Sequence, residues 1–163
     1  MRKMLTALAL AALAAGTAAA SEKTDVWAVV HQFEVGFNKG GDMKEALATC
    51  ADQTSIIDSI PPHEWHGAGA CSKWLSDFDA FCKAHEITGV VSTLGKPRHI
   101  DITGDRAYVV ASGTLTYNVK AKPTKESGSI FTVALQKGPS GWRITGWSYS
   151  AGIEAAAKTE SAK

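Results

Sequence analysis

No apolar run in this chain reaches the roughly 20 residues that a bilayer crossing needs; the longest, Leu5 to Ala15, is well short of that and mostly alanine. Charge of neither sign dominates, with 17 Lys and Arg against 16 Asp and Glu, so electrostatics give no reason to expect nucleic acid or an anionic membrane as partner. Cysteine is scarce: Cys50, Cys71 and Cys82 allow at most one intramolecular disulfide. Gly-x-Ser-x-Gly elbows, phosphate loops and dinucleotide fingerprints are missing, which argues against the usual hydrolase, kinase and dehydrogenase chemistries. Helical His-x-x-x-His and Cys-x-x-Cys spacings are missing too, so neither a metal nor a cofactor is expected.

What is present begins with a basic start, Met1-Arg2-Lys3-Met4, and an alanine-rich stretch ending at Ala18-Ala19-Ala20-Ser21. That pattern predicts a signal peptide over residues 1–20, cleaved after Ala20, and a periplasmic or secreted protein with no membrane association after cleavage. Its removal leaves 143 residues, enough for one core, and takes away Arg2 and Lys3, so that 15 basic residues face 16 acidic ones. In an oxidising compartment Cys71 and Cys82 cannot bridge each other, because eleven residues of one helix separate them by about 16 Å, beyond the roughly 7 Å limit for a disulfide. Cys50 is the shared partner for either, and three buried free thiols are the alternative.

Val26, Val29, Val30, Phe33 and Phe37 recur at helical spacing and predict a first helix over Asp25–Lys39, ended by Gly40-Gly41. Asp42 and Glu45 open a short second helix through Ala46, Leu47 and Cys50. Thr54 to Asp58 reads as a short strand stopped by Pro61-Pro62. Cys71, Trp74, Leu75, Phe78, Phe81 and Cys82 share one side of a third helix over Gly67–His85, a face suited to packing on a sheet. From Ile87 to Ser150 the pattern is alternating. Ala107, Val109, Ala111, Gly113, Leu115, Tyr117 and Val119 line one side of a long strand, with turns at Thr103–Arg106, Pro123–Ser127 and Gly138–Gly141. Hairpin-length connections make the sheet antiparallel. Residues 151–163 read as a flexible tail.

Three helices followed by four long strands, with a short strand before the third helix, resemble the nuclear transport factor 2-like superfamily, which includes SnoaL-like cyclases and ketosteroid isomerases. The phrases carrying the likeness are Phe37-Asn38-Lys39-Gly40-Gly41-Asp42, Asp58 closing the short strand, Gly67 before the third helix, and Gly141-Trp142-Arg143-Ile144. The resemblance implies an α+β fold over residues 21–150, a cystatin-like cone in which three N-terminal helices pack in a strongly curved antiparallel sheet. It also implies a mostly apolar pocket for a small hydrophobic or aromatic ligand, and in many members a homodimer through the sheet.

Asp58 matches the place of the isomerase's general-base aspartate, where a partly desolvated carboxylate can serve proton transfer; the competing reading is a turn aspartate that accepts backbone hydrogen bonds. The isomerase's oxyanion donors, a tyrosine and a protonated acid, fall here on Glu34 and Phe131, so ketosteroid isomerase activity is not expected. Glu34, Tyr117 and Tyr149 are the substitute polar groups, each weighed against an ordinary flanking or core role. His63-Glu64-Trp65-His66 is read as a loop at the pocket mouth, with Trp65 as a rim contact and His63 and His66 beside it rather than on a metal. A different class of function remains open on these residues: a non-catalytic interaction module using the outer sheet face around Thr114, Thr116 and Asn118.

Overall fold

The computed structural model of the chain describes residues 5–40 and 43–157. Helix α1 runs from Leu5 to Asn38, so the amphipathic helix expected from Asp25 is the second half of a longer one. Val26, Val30, Phe33 and Phe37 are its buried stripe, and Gly40 leaves it in the left-handed conformation at φ 64°. Gly36 faces the four-residue helix α2 (Lys44–Leu47) so closely that an added Cβ would meet Ala46 N at 2.3 Å. Gly41 and Asp42, where a second glycine and a capping box were expected, lie outside the described residues. Helix α2 ends before Cys50, which instead opens strand β1 (Cys50–Ile57).

Strand β2 (Glu64–Ala68) pairs antiparallel with β1, Ile56 opposite Trp65. The segment expected as a pocket-mouth loop is therefore the second arm of a hairpin, and its period-two alternation turns Trp65 inward and leaves Glu64 and His66 exposed. Helix α3 (Ala70–Ala84) follows, buried through Ala70, Cys71, Trp74 and Cys82. Four long strands complete the sheet: β3 (Ile87–Thr103), β4 (Arg106–Val119), β5 (Lys122–Gly138) and β6 (Gly141–Ser150). The expected turns at Thr103–Arg106 and Gly138–Gly141 are present. The one expected at Pro123–Ser127 is not: the chain reverses at Lys120-Ala121, both at positive φ, and 123–127 is strand paired with β4.

The sheet has seven strands in the order β2-β1-β6-β5-β4-β3, and β1 lies parallel to β6. It is thus mixed rather than wholly antiparallel, because the pairing that joins the first hairpin to the long strands is a non-local one that connection lengths do not reveal. The seventh strand, β7 (Ile153–Ala156), pairs antiparallel with the start of β5, where a flexible tail was expected. Bulges interrupt β3 and β5 and help the sheet to curl around α1 and α3. Two side chains of α1 occupy the edge of β3: Asn38 exchanges two hydrogen bonds of 2.8 Å with the Ser92 backbone, and Glu34 Oε1 accepts the Leu94 amide at 2.6 Å. An edge strand is covered in this way by helix side chains instead of a further strand. Cys50 and Cys71 form the disulfide, joining the start of β1 to the start of α3, and Cys82 is a buried free thiol. Among the described residues no helix is long and apolar enough to cross a membrane.

Candidate functional site

Between α1, α3 and the concave face of the sheet lies a cavity of about 490 Å³. Its inner wall is aromatic because helical and strand periodicities converge there: Phe33 from α1, Trp74 from α3, Phe131 from β5 and Trp147 from β6. Phe33 stacks on Phe131 at 5.9 Å between ring centres, and Trp74 meets Trp147 edge-on at 4.7 Å. Offset and edge contacts of this kind are worth roughly 0.5–1.5 kcal/mol each beyond their buried area, which holds the wall rigid.

Asp58 enters this wall by the alternation of β1, since Thr54, Ile56 and Asp58 are buried while Ser55 and Ile57 between them are exposed. Trp74 Nε1 donates to Asp58 Oδ2 at 2.7 Å, and the Ser59 amide and hydroxyl donate to Oδ1 at 2.5 and 3.2 Å. The following turn contains a cis Pro61-Pro62 bond. His63 closes that turn, its carbonyl accepting the Asp58 amide at 3.0 Å. Burial pushes the Asp58 carboxyl above the ordinary carboxylate value of 3.8; the hydrogen bonds from Trp74, Ser59 and Ile60 pull the other way without cancelling it. A carboxylate so placed is a better proton acceptor than one in water.

Toward β7 the cavity carries a second polar group. Glu126, 6 % exposed, receives hydrogen bonds at Oε1 from Tyr149 Oη, from Ser129 Oγ at 2.6 Å and from the Gly152 amide at 2.8 Å. Tyr117 Oη donates to Glu154 of β7 at 2.6 Å. Both phenols are pushed well above the usual tyrosine range, first by burial and then by the carboxylates they bond. Each tyrosine has one proton and gives it to a carboxylate, so the donor role expected of Tyr117 and Tyr149 is already taken within the protein. Phe131 and Glu34 line the cavity, with Glu34 also tethering β3 through Leu94.

The cavity does not include three of the residues expected at its mouth. Trp65 is 4 % exposed in the core and donates to Asp77 at 2.8 Å; His66 is exposed beside Glu64; and His63 serves the Asp58 turn from outside the cavity. The β1–β2 pairing turns the first two away, which a loop reading of the Pro-Pro neighbourhood does not reveal. Glu126 was missed for the opposite reason, since it stands in the segment read as a turn; Gly128, two residues on, is the bulge glycine that shifts the alternation by one. Among the described residues no group of three or more His, Cys, Asp or Glu side chains is placed to hold a metal.

Helices packed in a curled sheet around a conical cavity define the nuclear transport factor 2-like, cystatin-like fold. The chain superposes on a protein of that name from Novosphingobium aromaticivorans with a TM-score of 0.68, 14 % identity, 85 % of this chain and 87 % of the other. It also matches a hexachlorocyclohexane dehydrochlorinase, LinA type 3, from Novosphingobium barchaimii (TM-score 0.66, 7 % identity, 85 % and 94 % coverage). A ketosteroid isomerase-like protein from Erwinia carotovora atroseptica matches at a TM-score of 0.59, with 17 % identity and 80 % and 95 % coverage. No protein-family model and no curated protein sequence matches the chain.

Proposed function

We propose that this protein takes a small, flat, largely apolar molecule into the cavity and that Asp58 accepts a proton from it. The observation that carries the reading is the placement of a buried carboxylate of raised proton affinity against an aromatic wall within a cavity of about 490 Å³. Fold alone does not decide function. One protein of this fold is named a dehydrochlorinase and another ketosteroid isomerase-like, and proton removal from carbon fits the same placement of a base. Glu34 and Phe131, standing where the isomerases have oxyanion donors, keep the reading away from ketosteroid isomerisation itself.

The protein works outside the reducing cytoplasm in this reading, by virtue of the N-terminal signal pattern and the Cys50–Cys71 bridge. A homodimer through the outer sheet face near Thr114, Thr116 and Asn118 belongs to the same proposal, and light scattering at two concentrations tests it.

The test of the site uses 2-tetralone, a flat bicyclic ketone with an acidic α-carbon. Calorimetry should show saturable binding to wild type and weaker binding to Leu115→Trp, whose larger side chain takes up part of the cavity. Solvent deuterium should enter the α-carbon faster with wild type than in buffer, and Asp58→Asn should lose about 10²- to 10⁴-fold of that acceleration while still binding. Binding as tight to Leu115→Trp as to wild type, or exchange indifferent to Asp58, overturns the proposal.

A further inference from the structure

We infer that the cavity selects an organic cation, an ammonium or similar group carried on a flat apolar body; the inference rests on the cavity being the ligand site. Four of the described residues lining it are acids, Glu34, Asp58, Glu126 and Glu154, and none is lysine or arginine. The one basic side chain among them is His85, which stacks on Phe81 with ring centres 4.1 Å apart. Buried carboxylates ordinarily pair with a cation. Here buried Asp58 and Glu126 make no ion pair within the described residues, nor does the exposed Glu154, and buried Glu34 has only His31, at 4.0 Å.

Neutral donors reach both oxygens of Asp58 but cover Glu126 incompletely. All three hydrogen bonds that reach Glu126 fall on Oε1, so Oε2 of a carboxylate that is 6 % exposed has no partner among the described residues. Both Glu126 and Asp58 lie near enough to Tyr149 for their negative charges to oppose its ionisation. The same cavity is lined by the aromatic rings of Phe33, Trp74, Phe131 and Trp147, whose faces carry negative quadrupole density. Aromatic faces and carboxylates attract the same partner. A cation in the cavity replaces its lost water with ring faces and the open Glu126 oxygen, whereas an anion meets four carboxylates and no lysine or arginine.

The test is calorimetric titration with three probes of one shape: 2-naphthylmethylamine, protonated at neutral pH, 2-naphthylmethanol, and 2-naphthoate. The amine should bind about tenfold or more tightly than the alcohol, and the carboxylate more weakly than either. Glu126→Gln and, separately, Glu154→Gln should shrink the preference for the amine and leave the alcohol unchanged. Should Glu126→Gln fail to fold, Glu154→Gln on the exposed strand β7 carries the same expectation. Equal binding of amine and alcohol, or tightest binding of the carboxylate, overturns the cation inference while the cavity reading stands. Failure of all three probes to bind overturns both.

Discussion

Replacing Cys50 and Cys71 together by alanine should lower the stability of the protein by about 3 kcal/mol. The bridge closes a loop of sequence separation 21, and the chain-entropy relation for a loop of that length gives roughly 3 kcal/mol lost from the unfolded state's restriction. For a chain of this size the change corresponds to a drop in Tm of about 10 °C. The loss should also reach the site, because the bridge fixes α3, which carries Trp74, against β1, which leads into Asp58. The assay is thermal unfolding by near-ultraviolet circular dichroism, which sees the Trp74–Trp147 packing, with Cys82→Ala as the control that leaves the bridge intact. A double variant that melts within about 2 °C of wild type would refute the assignment of the bridge as a constraint on the fold.

Asp58 sets a pH dependence whose sign follows from burial. Its folded-state pKa is raised above 3.8, so the stability tied to the protonated acid is full below that value and is lost as pH rises through the folded-state pKa. Asp58→Asn, uncharged throughout, should therefore gain on wild type from about pH 3 to about pH 7 in urea melts; a difference constant with pH contradicts this. Gly152→Ala should detach β7, because the added Cβ would meet Ser127 O at 2.2 Å. Hydrogen exchange should then show lost protection at the Ala157 amide, which bonds Pro123 O, at a cost of about 1–3 kcal/mol if the strand stays docked under strain. Burial and the nearby Asp79 raise the Cys82 thiol's pKa, so it should react slowly with a disulfide reagent at neutral pH and quickly once the chain is unfolded; equal rates would place it at the surface.

Much of the fold was legible because burial and periodicity coincide. The Val26–Phe37 stripe, the Cys71–Cys82 face and the alternation of β4 each leave the side chains their pattern singles out buried or half-buried. Strands β2 and β7 were not legible. In β2 one residue of five, Trp65, is buried, and in β7 none is, so backbone pairing along a neighbour, not an apolar face, makes them strands. The parallel β1–β6 pairing joins residues about ninety apart and leaves no local trace. At the site, Asp58 was reachable from its strand position, and Glu34, Tyr117, Phe131 and Tyr149 all reach the cavity. What the residues could not show was that the two phenols are engaged by Glu126 and Glu154, because those acids come from a misread turn and a misread tail.

Native mass spectrometry of the protein purified gently from its own host tests the central claim most directly. The account predicts a small organic molecule retained by wild type and by His66→Ala, whose side chain is exposed outside the cavity, and retained less by Leu115→Trp, which narrows the cavity. A wild-type protein that is empty, or a bound molecule retained equally by Leu115→Trp, would contradict it.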